Sequence, residues 1–521
     1  MALYEDAEDS DEPEVPLEPL SGSRIVPTLA LPAMDQVAMA DQVIAVLASH
    51  PNLYQRYNQL VQTTSQELPP DFEDGADAAP AIRPLKSARL RELIQFFFRF
   101  SREGKYGNPV HADCPVWLPQ AIEARDQWQH IEPLTGIVTW PAMRPDGTFI
   151  VRPGYDDRTG IIYRGDPIAV PECPSERAAR SSAEALLELV AEFPFESDAH
   201  RSSWLAFPLT ILTRYAVDCA PVWVFDAPTP GSGKTLLAEI GARIVSGRHL
   251  PRMSPSEDDE ENRKRITAKA ISGDAVCLID NLVGTFGGPA FDAAVTAPYW
   301  NDRVLGSNRE INEPLRIVWA VSGNNITIKG DMQRRALHCR IDPQCERAEE
   351  RKFKRTQAEL IEHINENRTT YLQHLIVMLK FGMASAPLAM KSWGSFDLWS
   401  RVVRQAIVCA GLPDPEITRE RFRTASDVLR EQRVMLLKEV RRIVVMQERP
   451  LLVREILGSL SEDGKEAAAE LSKGKTKELT ATKLAMVFRK IKDTTSDGYT
   501  LRGEPNNDHV MLWNVTIDET D

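Results

Sequence analysis

The sequence lacks the marks of a membrane-spanning or disulfide-bonded protein. No apolar stretch approaches the roughly 20 residues that a membrane-spanning helix needs. The 521 residues include 7 cysteines but no C-x-x-C pair, and an isolated His111-x-x-Cys114 supplies too few ligands for a zinc site. Unpaired thiols and the absence of a signal-peptide pattern predict a protein of the reducing cytoplasm that makes no contact with a membrane.

Positive charge is also scarce. The formal net charge is −13 at pH 7, which argues against a globally basic surface of the kind that coats nucleic acid. Part of this charge is local, since residues 1–20 carry eight acidic residues and no Lys or Arg. An acidic, Pro-rich segment of this kind is predicted to be disordered. Any contact with DNA must therefore come from local groups of basic residues.

The most informative stretch is an apolar run, Val222–Ala227, that leads into a Gly-rich loop and then into residues with helical periodicity. A phosphate-binding loop requires this strand–loop–helix order. Gly231 and Gly233 allow the tight turn that aims backbone N–H groups at phosphate oxygens. We predict that Lys234 reaches the β- and γ-phosphates of ATP and that Thr235 ligates Mg²⁺. The predicted cofactor-binding residues are Pro230, Gly231, Ser232, Gly233, Lys234 and Thr235.

One position departs from the G-x-x-x-x-G-K-[ST] pattern, because Pro228 stands where the first Gly is expected. Written as Pro228-Thr-Pro-Gly-Ser-Gly-Lys-Thr235, the loop resembles the Pro-containing phosphate-binding loop of AAA+ ATPases. The alternative is a surface Gly-rich loop in which Gly-Lys-Thr occurs by coincidence. The strand and helix patterns on either side favour the phosphate-binding interpretation.

A second apolar run, Ala275–Asp280, ends in a carboxylate. A buried parallel strand presents such a residue at its C-terminal edge, beside the phosphate-binding loop, so Asp280 is predicted to hold Mg²⁺ through water. The next residue is Asn281, at the position where the AAA+ resemblance implies a Glu that polarises the attacking water. Either another carboxylate supplies the base or hydrolysis is slow.

A third apolar run begins at Leu315 and ends in Asn324 and Asn325. It resembles the sensor-1 strand of AAA+ enzymes, whose Asn orients the γ-phosphate and water. We take Asn324 as that residue, with Asn325 as the alternative. Arg334 and Arg335 follow at the position that the resemblance gives to an arginine finger, which reaches a neighbouring subunit's nucleotide. The alternative is a pair of surface arginines that closes a helix.

Taken in order, these features resemble those of AAA+ helicases of superfamily 3, particularly the primase-helicases of phages and integrative elements, over residues 180–430. The resemblance implies a homo-oligomer, a hexameric ring around single-stranded DNA, with a pore-lining hairpin between the second and third runs. That hairpin is predicted over residues 304–316, with its turn at Asn312-Glu-Pro314. Arg401 and Arg404 lie on one predicted helix of a helical lid, and one of them could serve as a sensor-2 arginine, with an ordinary exposed arginine as the alternative. We take Arg401 as the candidate. The candidate DNA contacts are Arg303, Arg309 and Lys329.

We therefore predict an α/β fold with an AAA+ P-loop core on a parallel sheet, an α-helical lid, a C-terminal winged helix and a smaller N-terminal α+β region. Helical patterns occupy residues 31–65, and a mobile connection is predicted over 462–478. The expected domains are a largely disordered acidic tail and helical segment (1–80), an N-terminal α+β accessory domain (81–180), the AAA+ ATPase core (181–345), the helical lid (346–425) and the winged-helix domain (426–521).

The predicted function is that of an ATP-dependent DNA helicase or translocase acting in the replication of a phage or mobile element. Primase activity is not predicted, because the N-terminal third shows no D-x-D motif in a strand context and no zinc site. The alternative is a non-unwinding AAA+ regulatory or defence ATPase that uses ATP for oligomeric assembly. Asn281 and the acidic balance of the chain favour that alternative.

Overall fold

The computed structural model describes residues 27–31, 35–66, 79–303, 310–345, 347–351, 353–472, 479–506 and 510–517. The first 26 residues of the predicted acidic tail, and Arg309 in the predicted hairpin, lie outside these ranges. The chain forms two units, Met1–Ile326 with Leu337–Glu416 and Thr327–Ala336 with Ile417–Asp521. The phosphate-binding loop belongs to the first unit, and the Arg334–Arg335 pair belongs to the second.

Small sheets and short helices make up the N-terminal part of the first unit. The elements are β1 (Thr28–Leu31), α1 (Gln36–Leu47), β2 (Leu53–Arg56), β3 (Gln59–Gln66), β4 (Ala79–Pro84), α2 (Ser87–Phe97), β5 (Arg99–Glu103), β6 (Pro109–Ala112), α3 (Trp117–Glu123), β7 (Gly136–Val138), β8 (Gly154–Asp156) and β9 (Ile161–Tyr163). They form three-stranded sheets in the orders β1-β5-β6, β2-β3-β4 and β7-β9-β8. One buried core joins α1, α2 and α3 to the first sheet through residues such as Val43, Leu90 and Phe100.

The helical prediction for residues 31–65 is correct only over α1. The second half of that stretch is the β2–β3 hairpin, which turns at Tyr57, a residue with a φ of 54°. In β3 the β-branched side chains of Val61 and Thr63 are buried on alternate positions. Alternation of this kind is the pattern of a half-buried strand, and the helical prediction overlooked it.

A sheet flanked by helices forms the centre of the first unit. Its elements are α4 (Glu176–Glu188), α5 (Asp198–Thr213), β10 (Val222–Ala227), α6 (Lys234–Ser246), β11 (Arg252–Met253), α7 (Asp259–Ser272), β12 (Val276–Leu282), β13 (Thr285–Phe286), α8 (Pro289–Thr296), β14 (Tyr299–Arg303), β15 (Glu310–Pro314), β16 (Val318–Asn324) and, after β17 (Thr327–Ile328) of the second unit, β18 (Ala336–Arg340). The five-stranded sheet has the order β11-β12-β16-β10-β18. Both β10 and β12 pair with β16 in parallel. The predicted α/β fold with a parallel sheet is therefore confirmed.

The three apolar runs of the sequence become the three central strands because burial covers them on both faces. All six residues of β10 are buried. The indole of Trp223 in β10 donates to the carbonyl of Ser203 in α5 at 2.8 Å. Parallel strands bring their C-terminal ends to one edge of the sheet, and here Ala227 of β10 is paired with Asn324 of β16. The loop that follows β10 therefore starts beside the end of the predicted sensor strand.

A buried guanidinium fixes the entry to β16. Arg214, at the C-terminal end of α5, is 2% exposed. It donates to the backbone carbonyls of Leu315 at 2.7 Å and of Val217 at 2.7 Å. A longer hydrogen bond of 3.4 Å reaches the carbonyl of Ile317. Because Leu315 and Ile317 immediately precede β16, Arg214 ties the sensor strand to α5.

Helices follow the central sheet within the first unit. They are α9 (Gln357–Glu366), α10 (Arg368–Ala384), α11 (Asp397–Trp399) and α12 (Gln405–Cys409), and a π-helical turn over Ser400–Arg404 joins the last two. Gly382 allows α10 to approach α12 closely, since a Cβ there would lie 2.5 Å from the Cα of Ala406. Among the described residues, no helix is both long and apolar enough to cross a membrane.

The second unit contains helices and a β-hairpin around its own core. Its elements after β17 are α13 (Glu420–Gln447), α14 (Val453–Ser459), α15 (Glu462–Ser472), α16 (Ala481–Ile491), β19 (Thr495–Ser496), β20 (Tyr499–Pro505) and β21 (Met511–Ile517). The core includes Leu436, Phe488 and Trp513. The mobile connection expected over 462–478 was wrong for α15, because Ala467 and Ala468 bury one face of that helix. Two small alanines in a charged stretch give little hydrophobic signal in the sequence.

Replacement of Arg214 by Ala should lower the free energy of unfolding by about 3 kcal/mol, because several carbonyl groups would be buried without their donor. Arg214→Lys should recover part of that loss, since an ammonium reaches fewer of the carbonyls. Urea denaturation followed by circular dichroism measures both changes. The matched control is Arg201→Ala, since Arg201 lies in the same helix with a side chain 44% exposed. Equal losses at Arg214 and Arg201 would contradict the prediction.

Candidate functional site

Two glycines shape the loop between β10 and α6. Gly231 has a φ of 67° and Gly233 a φ of 93°, values in the left-handed region that favours glycine. A Cβ on Gly233 would lie 3.0 Å from Cε1 of Phe193, so space as well as backbone conformation excludes a side chain there. The loop turns directly into the N-terminus of α6, where backbone N–H groups and the helix dipole favour an anion.

The side chain of Lys234 joins the loop to the end of β16. Its Nζ donates to Oδ1 of Asn324 at 2.7 Å. Within the loop, it also donates to Oγ of Ser232 at 2.9 Å and to the carbonyl of Thr229 at 3.1 Å. Burial lowers the pKa of the Lys234 ammonium, and the nearby carboxylates of Asp226 and Asp280 only partly oppose this shift. The structure thus brings the predicted P-loop lysine and the predicted sensor asparagine into direct contact.

Asp280 lies beside Thr235, as a shared magnesium site requires. The Thr235 hydroxyl donates to Oδ1 of Asp280 at 2.9 Å. The same carboxylate oxygen accepts a hydrogen bond from the hydroxyl of Ser322 in β16. A hydroxyl and a carboxylate are hard oxygen ligands of the kind that Mg²⁺ takes together with waters and phosphate oxygens. The donor set therefore fits Mg²⁺.

Arg252 is a contact of Asp280 that the sequence did not suggest. It lies in β11, and its Nη1 is 3.4 Å from Oδ2 of Asp280. Its Nη2 is 3.3 Å from Oε2 of Glu239, a residue of α6 that is 3% exposed. The guanidinium therefore bridges the phosphate-loop helix and the strand that carries Asp280. In this arrangement both oxygens of the Asp280 carboxylate contact side-chain donors.

Asn281 occupies an unusual backbone conformation. Its φ is 62°, and the pairing of β12 with β16 shifts register between Ile279 and Leu282. Its backbone N–H donates to the hydroxyl of Ser322 at 3.3 Å, and its side chain is exposed. Among residues with a side chain, Asn and Asp adopt the left-handed conformation most readily. The local backbone thus gives a reason for Asn at this position.

A buried carboxylate lies one residue before the end of β10. Asp226 is 1% exposed. Its Oδ1 accepts a hydrogen bond from the backbone N–H of Ile326 at 3.1 Å. Its Oδ2 accepts from Nη1 of Arg340 and lies 3.1 Å from Nε2 of His338. Burial raises the pKa of Asp226, but the hydrogen bond from His338, the one from Ile326 and the charge of Arg340 outweigh it and hold the pKa below its ordinary value.

Arg340 links this buried network to two further residues, Glu196 and Asn325. Its Nε is 2.8 Å from Oε2 of Glu196, and its Nη2 donates to Oδ1 of Asn325 at 3.2 Å. The backbone N–H of Asn325 in turn donates to the carbonyl of Ala227 at 3.1 Å. Asn325 thus contacts Arg340, whereas Asn324 contacts the P-loop lysine. This difference favours Asn324 as the residue that faces a bound nucleotide.

The predicted arginine finger lies in the second unit, on a 3₁₀ turn over Gly330–Arg334. Arg334 and Arg335 both form ion pairs with Asp331, and the hydrogen bond from Arg334 is the largest cause of the lowered Asp331 pKa. The side chain of Arg334 is 69% exposed and that of Arg335 is 14% exposed. Arg419 donates to the carbonyl of Arg334 at 2.8 Å. Exposure makes Arg334 the better candidate for contact with another subunit.

A hairpin is present as β14 and β15, which pair in antiparallel register from Tyr299–Pro314 to Arg303–Glu310. The turn predicted at Asn312-Glu-Pro314 was wrong, because these residues lie within β15 and pair with β14. The side chain of Arg303 is 77% exposed, and its Nε lies 3.5 Å from Oε1 of Glu310. The second DNA candidate of this hairpin, Arg309, lies outside the described residues. Lys329 is exposed in the second unit.

The two arginines of the π-helical turn differ sharply in environment. Arg401 is exposed. Arg404 is 0% exposed and pairs with Asp414 at 2.6 Å. Its guanidinium also contacts the carbonyl of Lys391 at 3.1 Å. Arg404 therefore has a structural role, and Arg401 stays the candidate for a sensor-2 contact.

Four residues of the site were missed from the sequence, namely Asp226, Arg252, Ser322 and Arg340. Asp226 carried a usable signal, because a charged residue inside a wholly apolar run must find partners when the run is buried. The other three lie on β11, β16 and β18, strands that are far apart in the chain and that flank β12 and β10 in the sheet. Only the strand order brings them together.

No protein-family model matches the sequence, and no curated protein matches it. Among solved structures, the C-terminal region of NrS-1 in its A-form apo structure is similar at 12% identity and a TM-score of 0.34, over 78% of this chain and 82% of that chain. A structure of JCV helicase with a bound small molecule is similar at 12% identity and a TM-score of 0.20, over 44% of this chain and 67% of that one. Likenesses as distant as these carry no argument about function.

The buried network contains a histidine that should make stability depend on pH. His200 in α5 is 7% exposed, and its Nδ1 lies 3.2 Å from the backbone nitrogen of Arg340. Burial, with a smaller contribution from His338, lowers the pKa of His200 to about 4. An unfolded histidine titrates near 6.5. Its contribution to stability is therefore complete above about pH 6.5 and is lost as the pH falls toward 4.

We expect the free energy of unfolding to fall by up to about 3 kcal/mol between pH 6.5 and 4 through His200 alone. His200→Gln should flatten the profile by that amount, because Gln does not titrate. Urea denaturation at a series of pH values measures the difference. His111→Gln, at an exposed position of β6, is the control and should leave the profile unchanged. Parallel profiles for the wild type and His200→Gln would show that the prediction is wrong.

Proposed function

We propose that the chain is a magnesium-dependent ATPase. The observation that carries this proposal is the convergence of two pairs at one loop: Lys234 with Asn324 at 2.7 Å, and Thr235 with Asp280 at 2.9 Å. Two of the four side chains come from the first turn of α6, and the other two come from the C-terminal parts of the neighbouring strands β12 and β16. An anion at the helix N-terminus and a divalent cation beside it would satisfy all four.

Each residue has a distinct part in holding the nucleotide. The backbone N–H groups around Gly231 and Gly233 bind phosphate oxygens, and the Lys234 ammonium neutralises charge on the β- and γ-phosphates. Thr235 and Asp280 would hold Mg²⁺, which would neutralise charge that develops on the phosphate oxygens. Asn324, already in contact with Lys234, orients the γ-phosphate and the attacking water.

Hydrolysis needs a group that takes a proton from that water, and Asn281 cannot accept it as a carboxylate does. Because the Asn281 side chain is exposed, it can still orient water by hydrogen bonding. Either another carboxylate supplies the base, or intrinsic hydrolysis is slow. In a ring, Arg334 of a neighbouring subunit would add positive charge at the γ-phosphate, and an arginine supplied in this way raises the rate of phosphoryl transfer by several orders of magnitude.

The finer proposal is an ATP-dependent DNA helicase or translocase of superfamily 3 type, assembled as a hexameric ring and acting in the replication of a phage or mobile element. The β14–β15 hairpin, with its exposed Arg303, supports contact with single-stranded DNA in a central pore. The second unit supports it further as a candidate winged helix: α16 buries Val487 and Phe488 and exposes Arg489 and Lys490, and the β20–β21 hairpin follows it. The helices α9 to α12 would form the lid.

A second candidate function is a regulatory or defence ATPase that assembles with ATP and does not unwind DNA. Asn281 favours it, because such a protein needs nucleotide binding more than rapid turnover. The local charge of the hairpin favours it as well, since Arg303 faces Glu310. Both candidate functions require the same nucleotide site. DNA binding is the property that distinguishes them.

Lys234→Ala should abolish ATP binding and reduce ATPase activity by at least about 100-fold, because the ammonium neutralises phosphate charge in a buried site. Asp280→Asn should reduce activity to a similar extent through the loss of the magnesium contact. Phosphate release at saturating Mg²⁺ measures both. Lys264→Ala, which removes a lysine 40% exposed in α7, is the control and should retain full activity. Unchanged turnover in Lys234→Ala would refute the ATPase proposal.

For the helicase, single-stranded DNA should stimulate the ATPase, and Arg303→Ala should weaken DNA binding. Replacing one phosphate contact should lower the slope of log affinity against log salt by about 0.7. Fluorescence anisotropy with a labelled oligonucleotide, at several salt concentrations, measures that slope. Arg201→Ala supplies the control, with an unchanged slope.

The absence of DNA binding at low salt would contradict the helicase and leave the regulatory ATPase. Phosphate attraction is strongest at low salt, so failure there cannot be assigned to screening. Particle images with an ATP analogue complete the distinction. A hexameric ring would give Arg334 a target in a neighbouring subunit, and a monomer would leave it without one.

A further inference from the structure

Two phenylalanines extend from the phosphate-binding loop toward solvent. Phe193, which follows α4, is 4% exposed and lies against the loop, since a Cβ on Gly233 would be 3.0 Å from its ring. Phe353, in the segment between β18 and α9, is 44% exposed. The centroids of the two rings are 6.4 Å apart, with an interplanar angle of 44°. An exposed aromatic ring therefore stands beside the loop, on the outer side of a buried one.

The residues on either side of Phe353 are anchored to Glu192, which follows α4. The guanidinium of Arg351 donates to the carbonyl of Glu192 at 2.6 Å. The backbone N–H of Lys354 donates to the carboxylate of the same Glu192, at 3.0 and 3.2 Å to its two oxygens. Hydrogen bonds on both sides of Phe353 thus fix its position relative to Phe193. The Phe353 ring is therefore exposed to solvent although the residues on either side of it are held by hydrogen bonds.

We propose that Phe353 stacks on the purine base of the bound nucleoside triphosphate, with Phe193 as the buried support of the stack. The inference rests on the nucleotide function proposed above. Phosphates held at Gly231 and Gly233 restrict the base to the neighbourhood of the loop, where Phe193 and Phe353 provide the aromatic surface. Arg351 adds a positive charge, since its Cζ lies 5.0 Å from the centroid of the Phe353 ring.

Stacking explains the exposure of Phe353 better than core packing does. A core phenylalanine is buried, as Phe193 is, because burial of its ring is favourable. Nucleobases present a flat apolar face, and stacking on an aromatic side chain tolerates different bases. A purine offers two fused rings to Phe353 and a pyrimidine only one. The subsite should therefore prefer ATP and GTP to CTP.

The test compares three ligands of the full-length protein in Mg²⁺: ATP, CTP and inorganic tripolyphosphate, which has no base. Competition against a fluorescent ATP analogue gives each dissociation constant. Phe353→Leu should weaken ATP binding about tenfold and CTP binding less, and should change tripolyphosphate binding by less than about twofold. Phe353→Trp should retain the affinity for ATP, because it keeps an aromatic surface.

Phe96→Leu is the matched control, since Phe96 is 62% exposed on α2 of the N-terminal part; its ATP affinity should equal that of the wild type. Unchanged ATP binding in Phe353→Leu would overturn the subsite. Equal losses of affinity for ATP and tripolyphosphate would overturn it too. The substitution would then have weakened phosphate binding at the loop and not the stacking of the base. If the wild-type protein binds neither ATP nor tripolyphosphate, the proposed nucleotide function is wrong, and the proposal for Phe353 is wrong with it.

Discussion

The carboxylate of Asp226 is the buried charge on which the geometry of the site depends. A charge placed inside a sheet costs several kcal/mol unless partners compensate it. Here the partners come from both neighbouring strands: Ile326 follows β16, and Arg340 belongs to β18. The compensation therefore fixes the end of β10, where the loop begins, against the end of the sensor strand. Asn324 meets Lys234 because both ends are held in this way.

A magnesium ion at Asp280 would compete with contacts that this carboxylate already makes within the protein. Oδ1 of Asp280 accepts hydrogen bonds from Thr235 and Ser322, and Oδ2 lies near Arg252. A cation held through water has to share this carboxylate with those donors. Arg252 is 3.3 Å from the buried Glu239 as well. It could therefore stay paired with Glu239 if Asp280 held a metal ion. The side chains of the proposed site are therefore held in place by hydrogen bonds, and these same contacts would lower its affinity for a metal ion.

Sequence reasoning reached the parts of this site that local patterns encode. The three apolar runs became β10, β12 and β16, and the loop glycines have the positive φ values that their spacing implied. It failed where tertiary contacts decide. The alternation in the β2–β3 hairpin is short, so local periodicity does not distinguish it from a helix. Arg340 has no local signal, because its partner Asp226 lies more than 100 residues away in the sequence. Strand order, which places β18 beside β10, is not readable from local periodicity.

Binding and hydrolysis depend on different parts of the structure. The buried network behind the loop fixes the end of β10 against the end of β16, and so places Asn324 beside Lys234. The residue type at position 281 is limited by the backbone, which is left-handed there. That conformation costs most side-chain types about 1–2 kcal/mol. A Glu there would supply a base but would carry that cost, whereas Asn carries little of it. The bulge in β12 therefore gives a physical reason why the proposed nucleotide site can be well ordered while position 281 holds a residue that cannot act as the base.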